Sequence, residues 1–126
     1  MISYEDFKKV EIRAGKILSA EKIPNTDKLL RLVVDFAEFE EKLIEQSAVQ
    51  DSSIPVVLQK IPKNRQIISG ISAYFPDPNT LVGKTCMFVT NLEPRIIKGF
   101  ESNGMILAVS NKDGGFSLLE PNNTIL

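Results

Sequence analysis

Basic residues recur along this chain, and the chemistry that they suit is phosphate recognition. Arginine and lysine neutralise phosphate groups and release their counterions, while hydroxyl and amide groups position sugars or bases. The residues of this kind that we single out are Lys22, Lys28, Arg31, Arg65, Arg95, Lys98, Ser102 and Asn103. Their types predict contact with a nucleic-acid backbone.

Catalytic chemistry has little support in the sequence. With no histidine and a single cysteine, the chain lacks a histidine-based triad, a zinc site with histidine ligands and an internal disulfide. Cys86 lies within an apolar strand, where a core position is the more common role. Glu21, Asp27 and Glu93 could meet at one loop end, but nothing in the sequence indicates a raised carboxyl pKa. We therefore expect no catalytic residue, no metal and no cofactor.

The formal net charge of -1 hides an uneven distribution. Residues 35–51 hold six acidic residues against Lys42, which leaves 14 basic and 10 acidic groups elsewhere. Because a local basic patch is enough to steer phosphate, the total charge does not exclude a nucleic-acid ligand.

Length and composition predict one domain over residues 1–126. A chain of 126 residues with 43% hydrophobic and 25% charged content can bury its own core. The sequence contains no apolar run of about 18 residues and no secretory leader, so we expect a cytoplasmic protein without a membrane segment.

Short alternating segments predict a β protein. The first strand begins at Val10, changes parity at Gly15 and continues to Ala20, which indicates a bulge or bend at the glycine. The second runs over 29–36 with Arg31 pointing away from the core. Three more strands are expected at 65–71, 85–92 and 105–109, with a polar loop at 93–104 and a final strand at 116–119.

Two other segments have local signals. Ser3 is a candidate N-cap for a short helix ending near Lys9, whose apolar face would cover one end of a barrel. The secondary structure of residues 37–64 is the hardest to predict. The pattern fits either a short helix over 40–50 followed by a strand at 54–61, or a lengthened hairpin.

This order of elements is that of the OB-fold, a five-stranded Greek-key barrel, here with a short N-terminal helix and an insert between strands two and three. In that fold, ligands lie against strands two and three and the loops that join strands one to two and four to five. The basic residues named above fall in those places.

Three blocks resemble a known family. NLEPRIIKGFESNGM at 91–105 is similar to the signature NLKPRKLMGVESQGM of the tRNA-binding domain found at the C-terminus of many bacterial methionyl-tRNA synthetases and in free-standing dimeric tRNA-binding proteins. DFKKVEIRAGKILSAEKIPNTDKLLRLVVD at 6–35 and RQIISGI at 65–71 look like the family's other blocks. The segment at 37–64 departs from the family, which crosses between these strands in a few residues.

The resemblance implies RNA contacts at matching positions. Together with the basic face, it gives this predicted set: Lys28, Arg31, Arg65, Ser69, Asn91, Arg95, Lys98, Ser102, Asn103 and Met105. Ser69 could equally be a structural hydroxyl, and Asn91 could equally cap its strand. Glu93 stands where the family has lysine and Asn103 where glutamine is common, which predicts a weaker affinity.

The aromatic residues limit the class of RNA that we expect this chain to bind. Single-strand binders stack bases on aromatic rings, but the sequence has no tryptophan, and the core pattern takes up Tyr4, Phe7, Phe36, Phe88 and Phe116. We therefore expect structured RNA, and tRNA by resemblance, bound by a noncatalytic module. By resemblance it would act as a homodimer or beside a synthetase catalytic domain. A protein-binding or chaperone-like module that uses the acidic insert is the alternative.

Overall fold

A computed structural model describes residues 1–45 and 56–123 of the chain. One helix, α1 (Tyr4–Phe7), precedes the strands, and 3-10 turns span Ser72–Tyr74 and Pro78–Leu81. The strands in these ranges are β1 (Ile12–Lys22), β2 (Leu30–Asp35), β3 (Phe39–Glu45), β4 (Val56–Pro62), β5 (Arg65–Ser69), β6 (Thr85–Val89), β7 (Arg95–Ile97), β8 (Phe100–Ser102), β9 (Met105–Ile106), β10 (Ala108–Ser110) and β11 (Phe116–Leu118).

Five of these strands form one antiparallel sheet in the order β5-β2-β1-β6-β9. The first part of β1 pairs with β6 and the second part pairs with β2, so one strand serves both sides of the sheet. The sheet curls into a nearly closed barrel with a short N-terminal helix, which confirms the predicted OB-fold.

Gly15 lies where β1 changes partners, but the irregular register falls a little later. A Cβ at Gly15 would lie 2.5 Å from a ring carbon of Phe36 and 2.6 Å from Val34, so only glycine fits the curled sheet. The register between β1 and β2 shifts between Ile17 and Ser19. The bulge was predicted at the glycine and lies a few residues after it in the structure.

The barrel interior is filled by the alternating positions that the sequence predicts. Leu30, Leu32 and Val34 are fully buried, and Phe36 meets Phe88 edge-on with ring centroids 5.1 Å apart. Cys86 belongs to the same core, and its burial raises the pKa of the thiol to about 11. The burial of Cys86 confirms its interpretation as a core residue.

The barrel closes along a line that we call the closure seam, formed by residues 65–68 of β5 and residues 101–104. The backbone N–H of Asn103 donates to the Gln66 carbonyl at 2.9 Å. The Ile68 N–H donates to the Ser102 hydroxyl at 3.0 Å, and the Gln66 amide donates to the Glu101 carbonyl at 2.9 Å. Side chains therefore replace part of the backbone ladder that would join β5 to the far edge of the sheet.

The N-terminal helix forms as predicted but does not cover the barrel. The Ser3 hydroxyl accepts a hydrogen bond from the Asp6 N–H at 3.1 Å, which confirms the N-cap. Tyr4 and Phe7, however, are 75% and 53% exposed. The prediction that these rings join the core was wrong, because their spacing indicates a shared face and does not specify what covers it.

The described part of the 37–64 segment is a hairpin. β3 and β4 pair antiparallel from Phe39 opposite Pro62 to Glu45 opposite Val56. Of the two structures that the sequence allowed, the lengthened hairpin is correct where it can be tested. The remainder of the predicted helix at 46–50 lies outside the described residues.

Two absences hold for residues 1–45 and 56–123. The described helices include none with the length and apolar character needed to cross a membrane. The same ranges contain no group of three His, Cys, Asp or Glu side chains placed to hold a metal ion.

Candidate nucleic-acid interface

Two of the predicted cations line one groove, which we call the lysine groove. It has a volume of about 390 Å³. Its lining residues are Asn25, Thr26, Asp27, Lys28, Leu29, Ile97 and Lys98. Lys28 comes from the loop between β1 and β2, and Lys98 from the turn between β7 and β8, so segments 70 residues apart in sequence supply the two charges.

Lys98 is held by a hairpin that sequence reasoning missed. Arg95 pairs with Ser102 and Ile97 with Phe100, so β7 and β8 are joined by Lys98 and Gly99 alone. Both residues have positive φ, 51° and 84°, as a two-residue hairpin turn of this twist requires. Glycine at the second turn position was the available signal, and the turn projects Lys98 towards the groove.

A second, smaller hollow of about 70 Å³ adjoins the groove at Ile97. Arg95 and Met105, both predicted contacts, line it together with Glu93. Five predicted residues therefore lie along one continuous surface: Lys28, Arg95, Lys98, Ser102 and Met105. Glu93 places a negative charge on that surface, as the departure from the family pattern had indicated.

Arg65 lies elsewhere and is already committed to other groups. Its guanidinium donates to the Glu38 carboxylate at 2.7 and 2.8 Å and to the Thr90 carbonyl at 2.6 Å. It also lies over the Phe36 ring, 5.3 Å from the centroid. Arg65 is therefore a structural residue of the closure seam, and it does not line the lysine groove with Lys28 and Lys98.

The contact between Arg65 and Glu38 shifts the pKa of both side chains. The hydrogen bond from Arg65 and the charges of Arg65 and Arg13 hold the pKa of Glu38 below its ordinary value, although burial opposes them. The same hydrogen bond raises the pKa of Arg65. The pair is therefore charged at neutral pH, and Glu38, assigned by sequence to an acidic insert, belongs to the barrel.

Ser102 and Asn103 also act in the closure seam. Ser102 is buried, and its hydroxyl accepts from the Ile68 N–H and donates to the Gly104 carbonyl at 3.2 Å. The backbone of Asn103 bonds to Gln66, as described above, while its side chain is half-buried. The Ser102 hydroxyl therefore has partners within the protein, although Ser102 also lines the smaller hollow. An RNA contact at Ser102 stays a prediction.

Asn91 is bound to the N-terminal segment. Its side-chain oxygen accepts from the Glu11 N–H at 2.8 Å and its amide donates to the Lys9 carbonyl at 2.6 Å. Of the two roles that the sequence left open, the structure supports a structural one, although the residue anchors a distant segment and does not cap its own strand.

The last two predicted residues, Arg31 and Ser69, lie on β2 and β5. Arg31 points away from the core, as predicted, and its side chain forms an ion pair with Glu21 at 2.6 Å. It also donates to the Gln66 side chain. Ser69 is half-buried opposite Leu30. An RNA contact at either residue stays a prediction.

Comparison with known proteins places the chain in a family. A sequence profile described as "Putative tRNA binding domain" matches residues 56–125, which is more than half of the chain and includes the 91–105 signature. The chain belongs to this tRNA-binding domain family. The resemblance inferred from three sequence blocks is thereby confirmed.

The relatives of this tRNA-binding domain include two methionine–tRNA ligases. One, from Methanoregula boonei, is 42% identical over 121 residues, which cover 96% of this chain and 14% of the relative. Another, from Porphyromonas gingivalis, is 37% identical over 120 residues, which cover 95% of this chain and 14% of the relative. The domain thus corresponds to a small part of those enzymes.

Solved structures agree with the fold. A MetRS-related protein from Pyrococcus horikoshii superposes with a TM-score of 0.73 at 29% identity, covering 99% of this chain and 92% of that one. The chaperone CsaA from Bacillus anthracis gives a TM-score of 0.68 at 24% identity, covering 100% and 93%. At that identity the second likeness supports the barrel alone.

Proposed function

We propose that this tRNA-binding domain is a noncatalytic module that holds tRNA, or another structured RNA, by its phosphates at the lysine groove. The observation that supports it is that Lys28 and Lys98, from separate loops, line one surface with Arg95 beside them. Within the described ranges none of the three forms an ion pair, so their charges face solvent.

The other predicted cations contribute less to this surface. Arg65 is neutralised by Glu38, and Arg31 is partly neutralised by Glu21. A phosphate that approached either would have to compete with a carboxylate already in contact. The binding free energy is therefore concentrated on the loop lysines, whose flexible ammonium groups act as point charges.

The test is the affinity of unfractionated tRNA for two double variants, measured by fluorescence anisotropy at one fixed salt concentration. Lys28→Ala/Lys98→Ala removes the groove charges, and we expect affinity to fall by about tenfold or more. Lys60→Ala/Lys112→Ala is the matched control, because both lysines are exposed and neither lines the groove. Equal losses in the two variants would mean that general positive charge, and not this groove, binds the RNA.

We further propose that the domain works either appended to a methionyl-tRNA synthetase or as a free-standing protein, in the cytoplasm where tRNA is used. The alignments to the ligases support the first arrangement, and the near full-length match to the Pyrococcus horikoshii protein supports the second. In both arrangements, the domain increases the affinity for RNA, and any catalysis takes place on another domain.

A second copy of the chain is the expected partner. Ile2, Tyr4 and Phe7 expose large apolar side chains at the N-terminus, more than a solvated helix needs. Light scattering of the wild type should give twice the monomer mass, and Tyr4→Lys/Phe7→Asp should give the monomer. A monomeric wild type would refute the pairing without affecting the RNA site.

Protein binding by the β3–β4 hairpin is the alternative function. Phe39, Leu43 and Leu58 are 57%, 71% and 55% exposed on the hairpin, beside acidic Glu40 and Glu41. Replacing residues 41–60 by Asn-Gly retains Glu38 and joins strands already in register at Glu40 and Ile61. If tRNA binding disappears with the hairpin, RNA and protein surfaces are not separate; if a co-purifying partner alone is lost, the hairpin is a protein-binding site.

A further inference from the structure

The lysine groove has an apolar lining that phosphate binding alone does not require. A backbone phosphate needs exposed cations, and a convex surface can present them. The groove is instead concave but open to solvent, and its volume of about 390 Å³ lies near the lower end of the range of small-molecule sites. Leu29 and Ile97, both half-buried, are the apolar residues that line the groove together with the two lysines.

The polar lining is suited to the edge of a base. Asn25, in the left-handed region with φ of 64°, and Asp27 both line the groove. The turn that presents them is fixed because the Thr26 hydroxyl donates to the Ile23 carbonyl at 2.8 Å. A carboxylate repels phosphate but accepts hydrogen bonds from the amino group of a nucleobase. Asp27 is therefore unfavourable for a groove that holds only phosphates and favourable for one that holds a base.

Resting on the proposed RNA-binding function, we propose that the lysine groove accepts one unstacked nucleotide from an RNA loop. The base lies against Leu29 and Ile97 with its amino edge towards Asp27, and the flanking phosphates contact Lys28 and Lys98. Such a nucleotide is presented by loops and bulges, and a regular duplex keeps its bases stacked inside the helix. The ligand class is therefore structured RNA with an accessible loop.

The experiment compares a stem-loop RNA that carries 2-aminopurine in its loop with a fully paired duplex of the same length. The wild type should bind the stem-loop at least about fivefold more tightly, and 2-aminopurine fluorescence should change on binding. Ile97→Ala should remove that preference and leave duplex affinity unchanged. Ile96→Ala is the control, because Ile96 is 71% exposed on the same strand and does not line the groove.

Asp27→Ala provides a test of opposite sign that does not disturb the core, because it removes both acceptor oxygens from an exposed position. If Asp27 accepts from a base, the variant should bind the stem-loop several-fold more weakly. If the groove holds phosphates alone, removal of a negative charge should strengthen binding to both RNAs, and the inference is wrong. Equal effects of Ile97→Ala and Ile96→Ala would overturn it as well.

These outcomes separate the inference from the function on which it rests. RNA binding that depends on Lys28 and Lys98 but shows no stem-loop preference contradicts the nucleotide site and retains the phosphate site. A wild type that binds neither RNA contradicts both. Unfolding in urea for each variant ensures that a lost preference is measured on folded protein.

Discussion

The lysine groove and the closure seam both draw on residues 91–105, yet they use them in different ways. In the groove, Lys98 and its neighbours from the β1–β2 loop face solvent. In the seam, Ser102 and the backbone of Asn103 bond to β5, and Arg65 is held by Glu38 and Thr90. One stretch of sequence thus supplies both the ligand surface and the bonds that keep that surface in place.

This difference separates residues of similar chemical type. An exposed lysine contributes little to folding and retains its charge for a ligand, whereas a partly buried arginine that holds a carboxylate contributes to folding and has little charge left to offer. Variants of the seam should therefore lower stability, and variants of the groove should lower affinity.

The largest effect is expected from Arg65→Met. The change leaves Glu38 without its main partner and the Thr90 carbonyl without its donor, so the free energy of unfolding should fall by about 3 kcal/mol. Urea unfolding measures it. A change below about 0.5 kcal/mol, the usual size at an unconstrained surface position, would mean that Arg65 does not stabilise the barrel.

Acid should weaken the same contact. Because the pKa of Glu38 is lowered on folding, its contribution is present above the ordinary value of 4.5 and is lost as pH falls through the folded value. Glu38→Gln should be less stable than wild type at neutral pH by about 2 kcal/mol. That difference should shrink below pH 4.5, as urea unfolding across pH would show; a constant difference would contradict the ion-pair account.

Ser102→Ala should have a smaller effect. It leaves the Ile68 N–H without its acceptor beside a buried site, which costs about 1 kcal/mol or slightly more. Ser69→Ala, on the same strand as Ile68, is the control and should change stability by less than about 0.5 kcal/mol. Thermal unfolding measures the loss of stability in both variants. A larger loss for Ser69→Ala than for Ser102→Ala would contradict the structural role of the Ser102 hydroxyl.

Glu93→Lys tests how the charge beside the lysine groove affects tRNA affinity. Glu93 lines the hollow that also contains Arg95, so a lysine there adds phosphate attraction beside the groove. We expect tRNA affinity to rise by roughly threefold at low salt with stability unchanged. Unchanged affinity in an anisotropy titration would show that RNA does not reach this hollow.

The sequence predicted the barrel well because its rules are local. The alternation of Leu30, Leu32 and Val34 specifies an inward face on any strand, and Ser3 caps its helix through a residue three positions away. Neither inference requires knowledge of distant partners.

The candidate site was harder to predict because partners separated in sequence decide each role. Nothing near Arg65 indicates that Glu38 will neutralise it, and nothing near Ser102 indicates that Ile68 will use its hydroxyl. Leu29 and Ile97 were not singled out as site residues, since Leu29 was assigned to the second strand and Ile97 is an apolar residue in the predicted polar loop at 93–104. The acidic segment at 35–51 was treated as one unit, although Glu38 belongs to the barrel.

The salt dependence of tRNA binding tests the division between groove and seam most directly. The slope of log affinity against log salt should become shallower by roughly 1 to 2 in Lys28→Ala/Lys98→Ala, because phosphate contacts are lost. Arg65→Met, measured well below its unfolding midpoint, should keep the wild-type slope. A shallower slope in Arg65→Met with an unchanged slope in the double lysine variant would contradict the account.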